Sequence, residues 1–124
     1  LPVIKDVLPD HGKAFVLFKP QFECGGKGLQ KRGILPVSRH AALLDAFYDT
    51  AKSLSLMPRA VVNAPVRPQK NVEYVVFLEK GGECIPKYQF LAQAARLAEA
   101  RFLYKAYIFA FLHSFFFIFI VKDV

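Results

Sequence analysis

The sequence has no tryptophan, one methionine and only two cysteines in 124 residues. Cys24 and Cys84 form no CxxC pair and stand near no histidine cluster. That argues against a disulfide scaffold and against a structural zinc site, so no metal is expected, and it fits a reduced intracellular setting, cytoplasm or organelle. Acidic residues are also scarce, ten Asp and Glu against seventeen Lys and Arg, a net charge of +7. The partner class this suits is polyanionic, either RNA or an acidic membrane surface, and charge alone does not choose between them. No basic-then-apolar leader follows Leu1, so no secretory signal is expected. No internal repeat is visible.

Apolar residues are abundant, at 54% of the chain with thirteen Phe, and much of the excess lies in one C-terminal run. The chain therefore divides. Residues 1–80 carry twelve basic and seven acidic side chains, while residues 81–124 carry five and three. Most of the positive charge, and with it the RNA reading, belongs to the first segment.

In that segment Val3, Ile4, Val7 and Leu8 have the spacing of one helical face and stop at Pro9-Asp10-His11-Gly12. Ala14 to Phe18 is a short apolar run between Gly12 and Pro20, which predicts a central parallel strand buried on both faces. Residues 21–37, with Gly25, Gly26, Gly28, Gly33 and Pro36, predict an irregular loop. Ser38 is placed to cap a helix that carries Leu43, Leu44, Phe47, Ala51 and Leu54 on one face. Met57-Pro58 is expected to end that helix. Strands are expected over 59–66 and 72–78, close enough to pair as a hairpin. The alternation predicts an α/β layered sheet with an antiparallel strand added by the hairpin. Three strands and so few helices rarely close a core alone, so the outer edge at Ala14 to Phe18 is expected to take a further strand from a missing half-domain or another chain.

The segment Ala14-Phe15-Val16-Leu17-Phe18-Lys19-Pro20-Gln21-Phe22-Glu23 resembles the hallmark strand and turn of the haemolysin-A (TlyA) and FtsJ type of ribosomal RNA methyltransferase, with Lys19 to Glu23 identical in a row. A glycine- and lysine-containing loop, Gly33-Ile34-Leu35 and His40 follow as in that family. A second motif is matched by Ala64-Pro65-Val66 and then Lys70-Asn71-Val72-Glu73-Tyr74-Val75-Val76. The resemblance covers about the first 80 residues and the distal half of the family's catalytic domain. It implies a partial Rossmann-like methyltransferase sheet, S-adenosylmethionine as cofactor of the complete domain, and ribosomal RNA as partner. It also implies a Lys-Asp-Lys-Glu tetrad, of which the second lysine maps onto Lys19 and the glutamate onto Glu73. The first lysine, the aspartate and the glycine-rich cofactor turn have no counterpart in these residues, so the isolated chain is expected to be inactive.

Methyl transfer to a ribose 2′-hydroxyl is an in-line displacement, in which holding the reacting atoms in line matters most and the hydroxyl proton must leave. A lysine amine can take that proton or stabilise the forming alkoxide. Lys19 ends an apolar strand, where ligands bind in open α/β sheets. Glu73 would orient it by a charge-assisted hydrogen bond. Lys27, Lys31, Arg32 and Arg39 would meet RNA phosphates beside them, although a merely solvated loop has the same composition. His40 opens a helix and is read as structural. Cys24 has no base beside it and is read as an inert thiol.

From Gly81-Gly82 onward the resemblance stops, and residues 81–124 read as a helical, apolar tail unrelated to the family. Residues 88–105 have high helix propensity. Residues 106–121 are apolar apart from His113 and Ser114, slightly short of a bilayer span unless flanking residues join. A membrane anchor, a helix packed on the sheet and a tail acquired by altered splicing or reading frame are the three readings. The alternative to a partial 2′-O-methyltransferase is thus a non-catalytic RNA-binding or membrane-associated haemolysin-like protein.

Overall fold

The computed structural model of the chain describes residues 1–64 and 67–96 and the backbone of residues 118–121. The elements are α1 (Pro2–Val7), β1 (Lys13–Phe18), α2 (Pro20–Glu23), α3 (His40–Ser53), β2 (Leu56–Asn63), β3 (Tyr74–Lys80), α4 (Lys87–Ala95) and β4 (Ile118–Val121). The sheet order is β2-β3-β1-β4, with β3 antiparallel to both neighbours and β4 parallel to β1. The chain is mixed α/β, as the alternation of apolar runs predicts.

Strand periodicity sorts the side chains. Ala14, Val16 and Phe18 of β1 and Tyr74, Val76 and Leu78 of β3 are buried on one face, where they meet Ile4 and Leu8, then Leu44, Tyr48 and Ala51 of α3, and Phe90 and Ala94 of α4. The core therefore lies between the sheet and the helices. On the other face Phe15 stacks on Phe77 with ring centroids 5.1 Å apart, and Phe15 and Leu17 are half-buried, where burial on both faces was expected. In β2 the register shifts between Pro58 and Ala60, a bulge that moves the buried set from Leu56 and Pro58 to Val61 and Asn63.

Three local expectations need correction. Ser38 does not cap α3: Pro36 leads into a 3-10 turn over Val37–Arg39, and the helix starts at His40 without a side-chain cap. Pro58 does not end that helix. Ser55 does so with φ of 60°, and Pro58 sits within β2, an edge strand that tolerates a missing N–H. The expected helix over 88–105 leaves helical geometry at Arg96, whose backbone is extended, and residues 97–105 lie outside the described residues.

The β2 edge and the free side of β1 are both covered. Pro58 O accepts from Ile85 N (2.9 Å) and Val61 N donates to Gln93 Oε1 (3.0 Å), so the segment leading into α4 covers β2. Beside β1, where a strand from elsewhere was expected, Ile118–Val121 of this same chain pair in register Ala14↔Ile118 to Leu17↔Val121. The run 106–121, read as a helix or anchor, thus ends in a strand, as its β-branched and aromatic content allows. Residues 106–117 lie outside the described residues. Among the described residues no helix is long and apolar enough to cross a membrane.

Candidate functional site

Lys19 is placed by the proline that follows it. A residue before proline is barred from helical geometry, so Lys19 stays extended (φ −115°, ψ 95°) and continues β1 by one residue before Pro20 opens α2. The last β1–β3 pair is Phe18↔Tyr74. One step further along an antiparallel ladder puts Lys19 opposite Glu73, and directly opposed positions share a face. Glu73 is still in the ladder on its other side, where its carbonyl accepts from Ala64 N at 2.7 Å.

α2 turns back over this strand end, and its motif residues engage both positions. Gln21 Nε2 donates to Glu73 Oε1 at 2.9 Å, and the Lys19 ammonium lies 5.5 Å from the centroid of the Phe22 ring. Because a carboxylate only accepts, the Gln21 amide must present its NH2 to Glu73. Among the described residues Gln21 Oε1 then has no hydrogen-bond partner. Glu73 also lines a cavity of about 290 Å³ together with Ala64, Arg67 and Asn71.

The basic loop lies next to this cavity and is fastened at three points. Asn71 Oδ1 accepts from Leu35 N (2.8 Å) while its Nδ2 donates to Gly33 O (3.0 Å). Arg32 Nη1 donates to Gln69 Oε1 at 2.9 Å. His40, buried, links Leu35 O (3.1 Å from Nε2) to the Tyr74 hydroxyl (2.9 Å from Nδ1). A carbonyl oxygen cannot donate, so Nε2 carries the proton and Nδ1 accepts from Tyr74. Burial pushes the His40 pKa below its ordinary value and the Tyr74 hydroxyl up to about 12, which keeps both neutral in this pair. His40 therefore holds the loop to β3.

Lys27, Lys31, Arg32 and Arg39 are all exposed. Gly28 has φ of 78°, and a Cβ there would fall 2.7 Å from Arg39 Nη1, so the guanidinium rests against glycine backbone. Cys24 Sγ points at Gln21 O at 3.4 Å, and Cys84 accepts from the Tyr48 hydroxyl at 3.1 Å; both are free, half-buried thiols.

No family model matches the sequence, and no curated protein matches it either. Solved structures do match, two of them as follows. A candidate hemolysin of Lactococcus lactis superposes with a TM-score of 0.62 at 26% identity, over 74% of this chain and 47% of that one. A candidate hemolysin of Streptococcus thermophilus gives 0.63 at 24% identity, over 86% of this chain and 39% of that one. The fold is hemolysin-like. The chain spans less than half the length of either neighbour.

Sequence reasoning singled out Lys19 and Glu73, each one residue beyond the last β1–β3 pair, Phe18↔Tyr74, and the four loop cations, which stand on one exposed segment. It missed Gln21, Arg67 and Asn71. Gln21 lies within the motif two residues after Lys19, and the turn imposed by Pro20 was the available signal that it would fold back on the strand end.

Proposed function

We propose that the chain is part of a Rossmann-like, S-adenosylmethionine-dependent 2′-O-methyltransferase of ribosomal RNA, and that Lys19 and Glu73 belong to its catalytic group. The topology suits that reading. β1 and β2 run in the same direction and are joined by a crossover that contains α3, with β3 inserted antiparallel between them. In such sheets ligands bind beyond the carboxyl ends of the parallel strands, which is where Lys19 stands.

The single observation that carries the proposal is the Gln21–Glu73 hydrogen bond at the sheet rim where Lys19 follows the last β1–β3 pair, Phe18↔Tyr74. A fixed carboxylate next to a lysine position can steer an amine toward a ribose hydroxyl and help it hold the departing proton. The Gln21 amide removes one rotational freedom from that carboxylate, which is how a second residue keeps a reacting group within the narrow geometry that transfer needs.

The described residues do not by themselves fit the cofactor. The turn after β1 is Lys19-Pro20 instead of a glycine-rich cradle. In our reading these residues supply the RNA-facing side, and the cofactor's own site belongs to the rest of the complete domain.

The test is transfer of a labelled methyl group from S-adenosylmethionine to ribosomal RNA by a complete catalytic domain that contains this segment. Lys19→Ala is expected to cost at least about 100-fold in rate, the usual scale for a positioned acid–base group. Unchanged turnover would remove Lys19 from the chemistry.

A further inference from the structure

The β2–β3 connection is a second candidate surface, one that the sequence motifs leave out. Residues 67–70 form a tight turn, with Lys70 N donating to Arg67 O at 3.3 Å, and Arg67 and Lys70 are both exposed. The turn is bound to the basic loop by the Arg32–Gln69 hydrogen bond and, through Asn71, by the bonds to Gly33 and Leu35. Residues 24–39 and 67–71 together hold six Lys and Arg and no Asp or Glu. Such a concentration repels itself, and natural surfaces normally intersperse the two signs unless a field is wanted.

The backbone bears a further cost. Arg32 has φ of 64° and Gln69 φ of 58°, so both partners of this exposed hydrogen bond are non-glycine residues held in left-handed geometry. An exposed hydrogen bond contributes too little to stability to explain two strained residues, and strain that persists is concentrated at functional sites. What it achieves is the alignment of one cationic segment against another. Arg67 then lines the same cavity as Glu73, which brings one basic and one acidic residue to it. This pairing suits a ribose phosphate: the planar fork of the guanidinium takes a phosphate through two hydrogen bonds, and the carboxylate accepts from a sugar hydroxyl.

We propose that the 67–71 turn forms the second half of a single-stranded RNA surface and that Arg67 binds the backbone phosphate of the nucleotide whose ribose reaches Glu73. The inference rests on the reading above for the kind of polyanion involved and for the ribose at Glu73. It deepens that reading by assigning Arg67 and Lys70 to the surface and by making the loop and the turn one unit.

The experiment measures binding of a short fluorescent single-stranded RNA by the 124-residue chain over a range of salt concentration. Each phosphate contact contributes about 0.7 to the slope of log affinity against log salt for single strands. The Arg67→Gln, Lys70→Gln double variant is expected to flatten the slope by about 1.4, while Lys5→Gln, Lys52→Gln, which removes two exposed lysines elsewhere, leaves it unchanged. If the first pair leaves the slope intact while Lys27→Gln, Lys31→Gln flattens it, the turn is not part of the surface and this inference alone falls. Equal flattening by the distant pair also overturns it. If the unaltered chain binds phosphatidylserine vesicles and not the RNA, both this inference and the nucleic-acid reading fall.

Discussion

Replacing His40 by leucine should release the basic loop from the sheet and cost more than any surface change. Leucine fills a similar volume, so the loss is one of hydrogen bonds and not of packing. The His40 ring serves two buried groups, the Leu35 carbonyl and the Tyr74 hydroxyl, and Leu35, His40 and Tyr74 are each 2% exposed or less. Each group left without a partner costs about 1 to 3 kcal/mol, so the substitution should destabilise the chain by about 2 to 6 kcal/mol. For a domain of about 5 to 15 kcal/mol total stability that is a large share. With a urea slope of about 1.5 kcal/mol per molar, a loss of 3 kcal/mol lowers the midpoint by roughly 2 M. Circular dichroism in urea reads this directly, since the chain has no tryptophan to report by fluorescence. Tyr74→Phe should cost less, because it strands only Nδ1 of His40. The double variant should cost less than the two single losses combined, because removing both partners abolishes an orphan that each single change creates. A His40→Leu variant within about 0.5 kcal/mol of the parent, the range of ordinary surface changes, would refute the clasp, as would strict additivity.

Two other predictions follow from the same geometry. Gly28→Ala should cost about 1 to 2 kcal/mol by thermal unfolding, the scale of a left-handed alanine, and should also displace Arg39; Gly25→Ala, at φ of 62° with open space around its Cβ, should show the backbone cost without weakening RNA binding. An equal effect of the two on RNA affinity would show that Arg39 does not need its seat on Gly28. Stability should be greatest between about pH 6.5 and 10. Burial lowers the His40 pKa, so the folded state holds fewer protons and its contribution is complete above about pH 6.5 and lost as pH falls toward the lowered value. Tyr74 and Tyr48 are both raised to about 12 by burial, Tyr48 with a further contribution from Cys84, so their contributions are complete below about pH 10 and lost as pH rises toward 12. A urea midpoint that climbs between pH 9 and 11 would contradict this.

The elements were largely legible because their signals are local. Apolar runs marked β1 and β3, and the spacing of Leu43, Leu44, Phe47, Ala51 and Leu54 marked the inner side of α3, of which Leu44 and Ala51 are buried and the others half-buried, while buried Tyr48 was missed. Ends were less legible where two local signals compete. Ser38 has the chemistry of a cap, but Pro36 starts a tighter turn first, and Pro58 has the chemistry of a breaker, yet an edge strand with a bulge accepts it. The occupation of the β1 edge by Ile118–Val121 had no local signal at all, since pairing between distant segments depends on topology.

The site shows the same division. Lys19 and Glu73 could be singled out by motif, and their opposition follows once β1 and β3 are known to pair antiparallel. The hydrogen bond from Gln21 to Glu73 spans 52 residues of sequence and the Arg32–Gln69 bond spans 37, so neither leaves a periodic trace. Arg67 belongs to a turn that reads as solvated punctuation until the cavity beside it is seen.

The most direct measurement of the central claim is a double-mutant cycle on methyl transfer by the complete domain, with Lys19→Ala, Glu73→Ala and the two combined. Residues that act as one unit are strongly non-additive, so the combined variant should be hardly slower than Lys19→Ala alone. If instead the two losses multiply, Lys19 and Glu73 work independently, and the joint site at the end of β1 does not exist.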